Sequence, residues 1–78
     1  MADPYFFRGV AKFNLDDYQG AEKDCSEAIE RNPFVVNAYQ VRGLSRIRQD
    51  NYESAITDYE AALKLDPENT VLWHNLAH

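Results

Sequence analysis

Apolar residues recur three and four positions apart along most of the chain, the spacing of one face of an α-helix. Tyr18, Ala21, Cys25, Ala28 and Ile29 fall on one such stripe. Phe6, Val10 and Phe13 fall on another, with Tyr5 and Gly9 on the stripe beside it. No segment sustains the alternation of a half-buried strand, so no strand is expected. The stripes are interrupted by residues that end helices. Asp3-Pro4 suits a cap followed by proline at the first helical position, where a missing N–H is harmless. Asp16-Asp17 and Gln49-Asp50-Asn51 carry side chains that compete for backbone hydrogen bonds. Asn32-Pro33 and Asp66-Pro67 stop a helix, because a residue before proline is steered out of the α region. The pattern predicts helices from about Pro4 to Leu15, from Tyr18 through Ile29, from Asn37 to Arg48 and from Tyr52 to Leu65.

Shifting the chain by 34 residues superposes these helices on one another. Tyr5 falls on Tyr39, Arg8-Gly9 on Arg42-Gly43, Asp16 on Asp50 and Tyr18 on Tyr52. Ala21 falls on Ala55, Asp24 on Asp58, Ala28 on Ala62 and Pro33 on Pro67. A third copy opens near Thr70 and sets Trp73 where the two tyrosines stood and Ala77 where the glycines stood. The chain therefore divides into a unit over 2–35, a second over 36–69 and a partial third over 70–78. Two antiparallel helices on a short turn approach closely only at small side chains, so Gly9 is expected against Ala28 and Gly43 against Ala62, with Ala21 and Ala55 marking tight contacts near the turn. Tyr18, Tyr52 and Tyr59 are expected to fill the wedge between successive hairpins.

These residues resemble the tetratricopeptide repeat, a helical hairpin of the same period. The second copy carries the pattern as Tyr39, Gly43, Tyr52, Ala55, Tyr59, Ala62 and Pro67. The first carries it as Tyr5, Gly9, Tyr18, Ala21, Ala28 and Pro33, with Cys25 in place of the second-helix aromatic. In the third, Trp73 and Leu76 match. The resemblance implies an all-α fold of antiparallel helix-turn-helix repeats stacked in a short right-handed solenoid, about two and a half units long. Arg8 and Arg42 depart from the pattern by standing where it has leucine, and Asp24 and Asp58 recur in the second helices. A charge on a partly buried position needs a partner. The expected pairs are Arg8 with Asp24 and Arg42 with Asp58, or Asp24 with Arg42 of the next hairpin. Lys12 and Arg46 stand where the family often has an aromatic, which is expected to loosen that side of the packing.

The resemblance also implies a function: the first helices of such repeats line a concave groove that receives an extended peptide or a helix of a partner protein. The groove positions are Phe6, Val10 and Phe13, with Asp3 and Asn14, in the first copy. They are Asn37, Gln40, Leu44, Ile47 and Arg48 in the second, and Val71, His74 and His78 in the third. The residues agree in one respect, because a first helix that is apolar on two faces has more surface than its own hairpin can bury. Gln40 and Asn37 suit a ligand's backbone and Arg48 a carboxylate. Members that hold the carboxyl end of chaperones use Lys and Asn at places that here carry Phe6, Val10, Val41, Asn37 and Val71, which argues against that activity. The other reading is a purely structural or oligomerising segment of a larger repeat protein. Self-association through the C-terminal end, or by exchange of a hairpin, is an expectation drawn from the incomplete third copy.

Composition narrows the alternatives. The chain has 78 residues, enough for one small domain, with 45% hydrophobic and 27% charged residues. A net charge of −5 with eight scattered basic residues argues against nucleic acid. No apolar run approaches the roughly 20 residues of a membrane span. The start, Met1-Ala2-Asp3-Pro4, lacks a secretory pattern, so a cytoplasmic setting is expected. Cys25 is the single cysteine and is expected to be a small buried hydrophobe. His74 and His78 have the spacing of a helical metal pair, but a closed zinc site needs four ligands, and no metal or cofactor is expected. Neither a phosphate-binding glycine loop nor a nucleophile elbow is present, so an enzyme is not expected.

Overall fold

The computed structural model describes residues 4–67. It contains four helices, α1 (Pro4–Asn14), α2 (Tyr18–Arg31), α3 (Val36–Arg48) and α4 (Tyr52–Leu65), arranged as two antiparallel pairs. The fold is an all-α repeat of two hairpins. The helix limits follow the sequence within one or two residues. Leu15 lies just past α1 yet its N–H still donates to Ala11 and Lys12, and α2 runs on to Arg31 before Asn32-Pro33 stops it.

Each hairpin turns at an aspartate in the left-handed region, Asp16 at φ 63° and Asp50 at φ 61°. Aspartate tolerates this conformation better than most side chains, because its short carboxylate bonds locally. Here the partner is the tyrosine two residues on: Tyr18 donates to Asp16 at 2.8 Å and Tyr52 to Asp50 at 3.1 Å. Asp17 then caps α2 by accepting from the Gly20 N–H at 3.1 Å. Between the hairpins, Asn32 accepts from the Phe34 N–H and turns the chain toward α3.

Small residues set the spacing inside the hairpins, with Ala21 close to Gly9 near the turn, but neither Gly9 nor Gly43 has its expected alanine, Ala28 or Ala62, as nearest neighbour. A Cβ on Gly9 would meet Cys25, Ala21 and Asp24, and one on Gly43 would meet the ring of Tyr59. The helices are thus in closest approach nearer the turn than Ala28 and Ala62. Ala21, Cys25 and Ala28 are fully buried in the first hairpin. Ala55, Tyr59, Ala62 and Leu63 form the core of the second, with Val36, Tyr39, Leu44 and Ile47 packed on it. The tyrosines do not act as one wedge. Tyr59 is buried within its own hairpin, Tyr18 packs edge-on against Phe13 at 5.4 Å between centroids, and Tyr52 is exposed.

The hairpins stack in series, with α3 packed on α2 and also touching α1. The first helices therefore lie side by side. Trp73, Leu76 and Ala77, and with them the third copy, lie outside the described residues.

Candidate functional site

The two predicted ion pairs form, and each gains a second cation. Arg8 grips Asp24 with two parallel hydrogen bonds of 2.9 Å, and Lys12 reaches the same carboxylate at 3.1 Å. Arg42 donates to Asp58 at 2.6 and 3.0 Å, and Arg46 donates to its other oxygen at 2.7 Å. Both aspartates are buried, so the paired cations offset their desolvation. The Arg8 guanidinium holds the Asp24 carboxyl below the usual carboxylate range, against burial, which acts the other way, and Lys12 adds to it.

Lys12 and Arg46 therefore do not loosen the packing; they complete the coordination of a buried carboxylate. Arg46 also crosses to the first hairpin, donating to Glu22 at 3.0 Å, where Gln49 donates at 2.8 Å. Arg42 makes a similar crossing to Ser26 at 3.2 Å. The alternative pairing of Asp24 with Arg42 is replaced by these contacts. Each first-helix tyrosine also carries the arginine three residues on: Arg8 lies 5.2 Å from the Tyr5 centroid and Arg42 5.7 Å from that of Tyr39.

The groove positions are brought together in part. Phe6, Val10 and Phe13 lie along α1, all half-buried, and Phe6 also meets Phe7 at 5.5 Å between centroids. On α3, Asn37 and Arg48 are exposed and Gln40 is half-buried. Leu44 and Ile47 are turned far enough to pack against the α4 core, which leaves only part of each side chain for a ligand. Val71, His74 and His78 lie outside the described residues, as does Asp3.

An open depression of about 290 Å³ is lined by Pro4, Tyr5 and Arg8, residues outside the groove set. Arg31 lies over the Tyr5 ring at 4.6 Å beside it. Among the described residues no three His, Cys, Asp or Glu side chains come together to hold a metal ion. Among them, too, no helix is long and apolar enough to cross a membrane. Cys25 is buried, and that burial pushes its thiol up to about 12. Such a thiol is a poor nucleophile.

Two models of the tetratricopeptide repeat match the chain, one over residues 2–34 and one over residues 36–69. The chain belongs to the tetratricopeptide repeat family. A solved structure described as the first TPR of Spaghetti (RPAP3) bound to HSP90 peptide SRMEEVD is similar, with 36% identity and a TM-score of 0.91. The likeness covers 97% of this chain and 64% of that one, so this chain spans less than two thirds of its relative. No curated protein sequence matches the chain. Modules of this family hold partner peptides or helices on a concave surface and are not catalytic folds. In this tetratricopeptide repeat chain the hairpin geometry is carried by small residues and tyrosines, while paired charges take the place of leucine and aromatic positions.

Glu22, Ser26 and Gln49 were not singled out by the sequence pattern as contacts. Their signal was present in outline: Glu22 and Ser26 lie four apart on one side of α2, facing the way Arg42 and Arg46 lie four apart on α3.

Proposed function

We propose that this chain is a non-catalytic interaction module that takes a peptide or a helix of a protein partner along α1 and α3, using Phe6, Val10 and Phe13 as apolar contacts and Gln40, Asn37 and Arg48 as polar ones. The supporting observation is that α1 keeps Phe6, Val10 and Phe13 half-buried, with Phe13 partly covered by Tyr18 of α2, while α3, which touches α1, carries the exposed Asn37 and Arg48 and the half-buried Gln40. The peptide carried by the similar Spaghetti structure supports the reading at the level of the fold. The acidic peptide of that relative is not carried over, because Phe6 and Val10 supply no cation for its carboxylates.

In this reading the apolar stripe supplies burial and the side-chain amides fix the ligand backbone. Titration of the chain with a peptide library should give saturable binding. Gln40→Ala and Phe6→Ala should each weaken it by roughly tenfold, the loss of about 1.4 kcal/mol. Absence of saturable binding would instead favour a structural segment without a ligand of its own.

A further inference from the structure

The chain passes from the first hairpin to the second at residues 32–35, between the end of α2 and the start of α3. From that linker the two helices run back along each other. As α2 is followed from Ser26 to Glu22, away from the linker, its partner on α3 changes from Arg42 to Arg46. Glu22 stands toward the opposite end of α2, a separation from Arg31 of about 14 Å at 1.5 Å per residue. The hairpins are therefore joined by the chain at one end of the α2–α3 seam and by Glu22 at the other.

The two ends are held by different means. Toward the linker the buried residues of α2 and α3 are the small Ala28 and Ala38. Their backbones tie the linker down, Ala28 accepting from the Asn32 N–H at 2.9 Å and Ala38 donating to Val35 at 3.2 Å. At the far end Glu22 accepts from Arg46 at 3.0 Å on one oxygen and from Gln49 at 2.8 Å on the other. Both donors are fixed by the second hairpin: Arg46 also donates to Asp58 at 2.7 Å, and Gln49 to the carbonyl of Ser45 at 3.1 Å. Among the described residues, the apolar cluster around Tyr59 is drawn from the second hairpin alone, so it does not clamp the first.

The groove spans the same two ends. Phe13 of α1 and Ile47 and Arg48 of α3 lie at the end where Glu22 closes the seam, whereas Phe6 and Asn37 lie at the linker end. Arg8 and Lys12 on Asp24 tie α1 to α2, so any displacement of α2 from α3 carries α1 with it. We propose that Glu22 is a positioning residue for the groove, a latch that sets the spacing of α1 and α3 at the Phe13, Ile47 and Arg48 end. The linker sets that spacing at the Phe6 and Asn37 end. A ligand lying along both helices thus meets a curvature fixed in advance, which lowers the ordering cost of binding. The effect on a ligand rests on the groove reading above; the effect on helix spacing does not.

The test uses the 78-residue chain with Cys25→Ala, so that cysteines introduced in pairs carry the only spin labels. Gln19→Cys with Glu53→Cys reports the far end of the seam, and Glu30→Cys with Lys64→Cys the linker end. All four positions are exposed and outside the groove. Distances are read by double electron–electron resonance. In Glu22→Ala the first distance should lengthen and spread while the second stays as in the parent. Glu22→Gln, which keeps an oxygen acceptor and the length of the side chain, should stay near the parent in both. A peptide found by library titration to saturate the groove should bind Glu22→Ala roughly fivefold more weakly or worse, and Glu22→Gln nearly as well as the parent. If no peptide saturates, the groove reading fails and the distances alone decide the latch. The proposal is overturned if Glu22→Ala leaves the first distance unchanged, or if both distances lengthen together. It is also overturned if the far end opens and a saturating peptide binds as before.

Discussion

The ring of Tyr59 lies against the backbone of Gly43, with two ring carbons 3.1 Å from the point a Cβ would occupy. The ring is buried and the helices meet there, so it has little freedom to move aside. Gly43→Ala gains about 1 kcal/mol of intrinsic helix preference but forces the ring outward, and overpacking of this kind costs about 1–3 kcal/mol. A net loss of stability of about 1 kcal/mol is expected in urea unfolding. Tyr59→Phe should move the other way. The Tyr59 hydroxyl is buried without a hydrogen-bond partner among the described residues, and removing it should stabilise the fold by about 1 kcal/mol.

The two buried aspartates are equivalent in sequence but not in cost. Asp58→Ala strands Arg42 and leaves Arg46 to Glu22 alone, both arginines mostly shielded from water, and should destabilise by about 3–5 kcal/mol. Asp24→Ala should cost clearly less, on the order of 1–2 kcal/mol, because the exposed Arg8 rehydrates once released. Denaturation of the two variants side by side checks the order. Equal losses would show that exposure of the cation does not govern the cost.

Acid sensitivity follows from Asp24. Its carboxyl is held low in the folded chain by Arg8 and then by Lys12, while in the unfolded chain it returns to about 3.9. The unfolded state thus takes up the proton first. The contribution of Asp24 to stability is complete above that value and is lost as pH falls through the lower folded one. Urea midpoints measured from pH 7 down to pH 2 should fall below about pH 4. Asp24→Asn should show a shallower decline over the same interval.

Cys25 supplies a probe of opening. With the thiol buried and pushed up to about 12, a disulfide reagent at pH 8 should not label the native chain on the timescale that labels the urea-unfolded one. The labelling rate should rise with urea in step with the loss of helix signal. Rapid labelling without denaturant would show that the first hairpin opens by itself.

How far the residues alone carried the fold is clearest at the charged positions. Agreement at offsets of 34 made the hairpins legible, because tyrosine, glycine, alanine and proline each answer a local geometric need. Arg8 with Asp24 and Arg42 with Asp58 were legible for the same reason: a recurring buried charge demands a recurring partner. Lys12 and Arg46 were not, since judged singly each stands in an aromatic's place, and only the crossing of the helices brings Lys12 to Asp24 and Arg46 to Asp58. The same crossing decides that Gly9 meets Cys25 instead of Ala28. Leu44 and Ile47 show the limit for the groove. Their spacing marks the side of the helix they share, but how much of that side faces α4 depends on the rotation of α3 about its axis, which periodicity leaves undetermined.

Arg46 answers to both hairpins at once, through Glu22 in one and Asp58 in the other. Pulling away the first hairpin would therefore withdraw an anion from a cation that the second hairpin relies on. Heat should melt the pair in one concerted step instead of peeling it from an end, so that the repeat, though modular in its sequence, behaves as an indivisible body.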